Sequence, residues 1–292
     1  MEQVVSYAAL GVMLGAIYAL LAIGYTLVFG VLRILNLAHG DIFMVGAFVA
    51  AFMAPILAPW LAIPTGILVA TFFGVALYFI VFEPTKSKEA EFGPAIGSLA
   101  FGLVLESVGG YLAGGYSLQF PALLRLPDLY VGKFQISTVQ LVVLLIALAA
   151  MVTLNLITKR TKIGRSMRAI AESEQASRLL GINVRRVIVA VFALSSAGAG
   201  LAAVLYGLRY GVVDPYYGFH IGLIGLIVMV LGGIGNIIGA MVGGIVLGLV
   251  QMLATGLLWS GAQQVVPWIV LVVVLVLFPE GLLGQRHKEE KL

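Results

Sequence analysis

Nine apolar runs occupy most of this chain and dictate what it can fold into. A helix crossing about 30 Å of hydrocarbon needs about 20 largely apolar residues. Runs of that kind fall near residues 4–32, 41–57, 61–82, 95–113, 137–157, 187–207, 221–234, 237–258 and 265–279. They are continuous where an outer-membrane barrel would alternate, so transmembrane strands are set aside. Of the 292 residues 61% are hydrophobic and 10% charged, against roughly 25% charged in a soluble domain. The bilayer must therefore be the solvent. The expected fold is an all-α polytopic membrane protein with about eight to nine transmembrane helices, residues 1–292 forming one transmembrane domain. The first run is long for one span and the run 221–234 is short, which predicts broken or re-entrant segments. Met1-Glu2-Gln3 carries no basic leader, so the first run is expected to stay as a span.

Cysteine is absent, which removes disulfides, thiolate nucleophiles and Cys-bound metals from consideration. The net charge of +4 reads as topology, because the cations sit between spans, and no nucleic-acid partner is expected. Cytoplasmic loops retain Lys and Arg. With the N-terminus outside, Arg33, Lys86, Lys88, Lys159, Arg160, Lys162, Arg165, Arg168, Arg178, Arg185, Arg186, Arg286, Lys288 and Lys291 fall inside. Only Arg125, Lys133 and Arg209 fall outside. The expected topology is N-out and C-in.

Two stretches between spans are long. The external one, 114–136, contains Gly114-Gly115, Pro121 and Pro127 among apolar residues, and is expected to be a packed loop or a short surface helix, with a passive connector as the plainer reading. The internal one, 159–186, carries eight basic residues. Ile163, Met167, Ile170 and Ala171 share a helical face, and Arg168 stands four residues before Glu172, at ion-pair spacing. A second short helix is expected from Ser173 or Glu174 to Leu180, stopped by Gly181. Attraction to anionic lipid would explain the charge, but not this helix, stop, helix punctuation. A cytoplasmic segment that docks on a partner explains both.

Polar and glycine-rich breaks interrupt the apolar runs. Asn36, His39 and Asp41 lie between two of them, with Gly40 expected to let the chain turn. Broken membrane helices expose backbone groups that can hold a zwitterion, the amino end favouring carboxylate. Helix capping by Asn36 or Asp41 is the plainer reading; one His and one Asp make no closed metal shell. Gly232-Gly233-Ile234-Gly235-Asn236 is too rich in glycine for unbroken helix, so a turn or re-entrant tip is expected there as the second of a pair of breaks. Asn36, His39, Gly40, Asp41, Gly232, Gly233 and Asn236 are thus the candidate pathway or gate. From Gly239 onward the four-residue spacing of Gly244 and Gly248 reads as helix packing. Glu106, a carboxylate within a span, either tunes selectivity or pairs with a neighbouring helix. His220, near Tyr216 and Tyr217, reads as an interfacial residue.

Three blocks carry a family resemblance. Gln175-Ala176-Ser177-Arg178-Leu179-Leu180-Gly181 resembles the EAA-x-x-x-G coupling signature of ABC importer permeases, with Gln175 in place of Glu and Ser177 in place of the second Ala. The run Thr161 to Ala169 resembles the stretch preceding that signature. Asn36-Leu37-Ala38-His39-Gly40-Asp41 is similar to N-F-A-H-G-E, and Leu231 to Ala240 to L-G-G-x-G-S-x-x-G-A. Over about 4–282 the chain resembles the LivH-type branched-chain amino acid permease family. That resemblance implies a type II-like ABC importer permease in a bacterial or archaeal cytoplasmic membrane. It also implies a second homologous permease subunit, two cytosolic ATP-binding subunits that bring ATP and Mg, and an extracytoplasmic amino-acid-binding protein. The ATPase-coupling residues would be Gly164, Arg165, Arg168, Ala169, Glu172, Gln175, Ala176 and Gly181, and no cofactor is expected in this chain.

No G-x-x-x-x-G-K-[ST] loop is present, so energy has to come from a partner or from an ion gradient. The alternative is an ion-coupled secondary transporter or channel for a small polar solute such as urea or a short amide. Intramembrane enzyme chemistry lacks a recognisable catalytic constellation.

Overall fold

The computed structural model describes residues 2–85, 92–121, 127–131 and 134–284. Lys86, Lys88, Arg125, Lys133, Arg286, Lys288 and Lys291, all used above for orientation, lie outside these. The helices are α1 (Glu2–Leu32), α2 (His39–Met53), α3 (Pro59–Leu77), α4 (Gly93–Leu112), α5 (Thr138–Arg160), α6 (Lys162–Glu172), α7 (Glu174–Leu179), α8 (Val184–Tyr210), α9 (Tyr217–Gly232), α10 (Ile237–Leu257) and α11 (Ala262–Leu277). α3 runs on into a π-helical turn, Tyr78–Phe82. Among the described residues six helices are long and apolar enough to cross a membrane, and α2, α9 and α11 are shorter apolar helices. The nine apolar runs are therefore nine helices of an all-α polytopic protein.

α1 is the axis of the bundle. Its side chains from Met13 to Ile23 are buried, and it is one unbroken helix of 31 residues, about 46 Å at 1.5 Å per residue. It lies closest to α10, through the small residues that the four-residue spacing picked out. A Cβ on Gly244 would sit 2.6 Å from the Ala19 backbone, and one on Gly248 would sit 2.3 Å from Gly15 N. Lipid is as apolar as leucine, so membrane helices gain from such close van der Waals approach, not from hiding apolar surface. α8 packs between α1 and α3; Ser195 Oγ donates to the Gly24 carbonyl at 2.8 Å, deep inside.

The stretch expected as a loop or surface helix forms short antiparallel ladders instead. Leu118–Gln119 (β1) pairs with Val212–Val213 (β4), and Leu129–Val131 (β2) pairs with Phe134–Ile136 (β3). The β1–β4 pair ties the segment after α4 to the segment before α9. Backbone groups released where these helices end find partners in each other.

Candidate translocation site and coupling surface

The chain leaves α1 at Leu32 through Arg33, whose φ of 59° is left-handed, and then runs back into the bundle. The turn is therefore made by Arg33, where Gly40 was expected to make it. α2 starts only after this return. The His39 ring lies edge-on to Tyr25, centroids 4.6 Å apart, and fills the space left by Gly24, where a Cβ would come 2.3 Å from Nε2. Gly24 precedes the end of α1 by eight residues, so α2 begins about 12 Å of helix rise inside the bundle. α2 has 15 residues, about 22 Å, because its first half-span is replaced by the irregular segment 33–36 and the turn at 37–38.

Gly40 lies in the first turn of α2, and its missing side chain serves another purpose. A Cβ there would sit 2.2 Å from the Gly218 carbonyl and 2.5 Å from Gly222 Cα. The first turns of α2 and α9 thus touch through bare backbone, with the positive ends of two helix dipoles brought together. The Asp41 carboxylate enters this junction: a Cβ on Gly218 would lie 2.4 Å from its Oδ1, and one on Gly102 of α4 would lie 2.1 Å from its Oδ2. Asn36 Oδ1 accepts from Ala38 N at 3.2 Å, and Leu37 N donates to Ser98 Oγ at 2.9 Å. Asn36, His39 and Asp41 are all buried. Asn36 Nδ2, both ring nitrogens of His39 and Asp41 Oδ1 have no hydrogen-bond partner among the described residues. Buried polar atoms in native proteins are nearly always satisfied, so these orphans set the junction apart from the packed interior around it.

Glu106 lies one turn along α4 from Gly102, half-buried. The pairing with a neighbouring helix expected of it is not formed: it has no hydrogen bond or ion pair among the described residues. His220 is half-buried, its ring 6.5 Å from that of Tyr217.

Gly232, Gly233 and Asn236 lie elsewhere. They form the turn from α9 to α10, fourteen residues and about 21 Å of helix rise from Gly218. Gly233 and Gly235 take φ of 101° and 83°, which glycine adopts without steric cost. Asn236 Oδ1 caps α10 by accepting from Gly239 N at 3.1 Å, and its Nδ2 donates to the Leu283 carbonyl at 2.8 Å. The break that faces 36–41 is the start of α9, not its end. The spacing Gly218, Gly222, Gly225 carried that signal and was overlooked in favour of the denser glycine cluster.

The segment 159–186 is built as helix, stop and helix. Thr161 Oγ1 caps α6 by accepting from Gly164 N at 3.2 Å, and Ser173 Oγ caps α7 by accepting from Ala176 N at 3.2 Å. Gly181, at φ 79°, ends the unit. Gly164 lets α6 close onto the end of α5, its Cβ position only 2.1 Å from the Thr158 carbonyl. Arg168 donates to that same carbonyl, where the spacing predicted a pair with Glu172. A helix end leaves carbonyls unpaired, and a guanidinium within reach satisfies one. The i,i+4 ion pair that does form is Glu174 with Arg178, at 2.7 Å. Met167 and Ile170 face inward; Ala169 is half-buried, and Arg165, Glu172, Gln175 and Ala176 are exposed. Leu179 and Leu180 are 90% and 80% exposed at the tip.

A family model described as the permease component of the branched-chain amino acid transport system matches residues 7–278. The chain belongs to this family of transport permeases. The high-affinity branched-chain amino acid transport system permease protein LivH of Escherichia coli (strain K12) is 34% identical over 295 residues, 96% of this chain and 95% of that protein. The corresponding protein BraD of Pseudomonas aeruginosa is 32% identical over 296 residues, again 96% and 95% of the two chains. The permease protein LivM of Escherichia coli (strain K12) is 26% identical over 299 residues, 94% of this chain and 70% of that one.

In this permease both the α2–α9 junction and the α6–α7 unit lie within the matched residues. Among the described residues no three His, Asp or Glu side chains come together in a way that could hold a metal ion. The junction instead offers a carboxylate oxygen, an amide N–H and an imidazole, with helix amino ends beside them. In charge and hydrogen-bonding type that set is complementary to the ammonium and carboxylate of a zwitterion.

Proposed function

We propose that this chain is the permease subunit of an ABC importer for branched-chain or related hydrophobic amino acids in a bacterial or archaeal cytoplasmic membrane. The names of the relatives support the substrate class. The observation that carries the ABC reading is the exposed Leu179–Leu180 tip on a doubly capped helix pair. Two leucines left bare at a basic end of the bundle suit an apolar groove on a cytosolic ATPase. ATP and Mg would be held by two such ATPases, and closure of that pair would push α6, which Gly164 and Arg168 fasten to the end of α5. Gly164, Arg165, Arg168, Ala169, Glu172, Gln175, Ala176 and Gly181 form the coupling surface. The described cations on the tails of α1 and α5, on α6 and α7 and at the head of α8 favour that face as the cytoplasmic one, with the N-terminus outside.

A second, similar permease completes the membrane unit, and the likeness to both LivH and LivM supports a pair of unlike subunits. An extracytoplasmic binding protein delivers the amino acid. Asn36, His39, Gly40 and Asp41 act as the gate, with Glu106 tuning its polarity, while Gly232, Gly233 and Asn236 shape the inner mouth. Apolar walls separate leucine, isoleucine and valine by only about 1–3 kcal/mol per methylene, so the binding protein supplies most of the selectivity.

The test is uptake of radiolabelled leucine by proteoliposomes that contain the chain with its sister permease, ATPases and binding protein. Uptake that requires ATP and every component is expected. Uptake by the chain alone under an ion gradient would overturn the proposal in favour of secondary transport.

A further inference from the structure

A cavity of about 870 Å³ opens where α1, α5, α9 and α11 end, beneath α6 and the α9–α10 turn. Its two sides differ in chemistry. Arg33, Lys159 and Arg168 line one side, and all three are exposed. Ile234, Ile238 and Leu275 line the other and are 54%, 41% and 45% exposed. Arg168 is anchored on the Thr158 carbonyl. Arg33 and Lys159 form no ion pair among the described residues, although Glu280 lines the same cavity. Arg33 is also the one non-glycine residue with positive φ among those described, a conformation that costs free energy and persists where the surroundings over-determine it. A soluble anion would use the cations and leave the apolar wall wet. An amphiphile uses both.

We propose that this cavity is a specific site for an anionic phospholipid, its phosphate on Arg33 and Lys159 and an acyl chain along Ile238 and Leu275. The lipid would bridge the ends of α1 and α5 to the α9–α10 turn and α11, and so fill the space beneath α6. Diffuse attraction of basic loops to a membrane is general; a walled cavity with two unpaired cations predicts a single saturable site.

The test is native mass spectrometry of the full chain in mild detergent, titrated with dioleoylphosphatidylglycerol, dioleoylphosphatidylcholine or inorganic phosphate. One phosphatidylglycerol should bind, at least about tenfold more tightly than phosphatidylcholine, and millimolar phosphate should not displace it. At about fivefold per cation, Arg33→Gln with Lys159→Gln should weaken binding about thirtyfold. Lys159→Gln alone, at an exposed helical position, should weaken it about fivefold, and serves if the double variant fails to fold. Arg160→Gln removes a neighbouring exposed cation that does not line the cavity, and should leave binding unchanged. Equal weakening by Arg160→Gln and Lys159→Gln would overturn the proposal and leave diffuse charge attraction. Equal binding of both lipids, or full displacement by phosphate, would overturn it as well.

Discussion

The carboxylate of Asp41 occupies the space that a side chain on Gly218 would fill, 2.4 Å from the position of that missing Cβ. Asp41 belongs to the first turn of α2 and Gly218 to the first turn of α9, so two helices that begin inside the bundle meet at one carboxylate. Their amino ends favour a negative charge there. On the pathway proposed above, the same ends would favour the carboxylate of the amino acid, and Asp41 its ammonium.

Replacing Asp41 by Asn preserves shape and removes the charge. With the assembled transporter, Asp41→Asn should lower leucine uptake at least about tenfold, the equivalent of 1.4 kcal/mol, at unchanged membrane level and unchanged copurification of partners. Wild-type uptake would remove Asp41 from the pathway. His39→Ala, which empties the space beside Gly24 and Tyr25, should lower both uptake and thermal stability, as a buried side chain leaves a cavity.

Gly40→Ala tests the backbone contact itself. A methyl group 2.2 Å from the Gly218 carbonyl forces α2 and α9 apart, and overpacking of this kind costs about 1–3 kcal/mol. The thermal unfolding midpoint of the purified chain should fall, whereas Gly30→Ala, a helical position with nothing within 4 Å of its Cβ position, should leave it unchanged or raise it slightly.

Leu179→Asp with Leu180→Asp should release the ATPases from the membrane subunits in a pull-down while the chain keeps its unfolding temperature, because both side chains are almost fully exposed. Gly181→Val should do the opposite in part. It strains a residue at φ 79°, costs about 1–2 kcal/mol, and loosens the end of α7.

Glu83 and Arg185 form a two-point ion pair at 2.7 and 3.0 Å between the turn after α3 and the start of α8. Arg185 also lies over the Phe79 ring, 5.2 Å from its centroid. The Arg185 side chain is 64% exposed, so Glu83→Gln should lower the unfolding temperature only slightly. The loss, read from unfolding temperatures, should shrink further at high salt.

Much of this architecture is legible in the sequence because lipid imposes simple rules. Apolar run length marks each helix, Thr161, Ser173 and Gly181 punctuate α6 and α7, and the spacing of Gly244 and Gly248 marks the face that α1 covers. What escaped were contacts between distant segments. Gly40 reads as a turn residue until Gly218 and Gly222 are seen against it. A turn was expected at the Gly232–Gly235 cluster and is found there, but it does not face 36–41; the sparser glycines of α9 do. Arg168 has an ion-pair partner by spacing, but an unpaired carbonyl on the preceding helix lies nearer.

The length of α1 has a consequence for the membrane around it. At about 46 Å it exceeds the hydrocarbon core by about half. Ser137 before α5 and Leu208 near the end of α8 line a small cavity with Met13, so these helix ends lie level with α1 about a dozen residues from its start. The turns of α1 before that level are braced by α10, where the Tyr7 ring fills the space beside Gly256, and they expose Val4 and Val5. The protein is thus not of uniform thickness. Beside the α1–α10 pair either the helices tilt, the bilayer swells to cover those valines, or they lie among its headgroups.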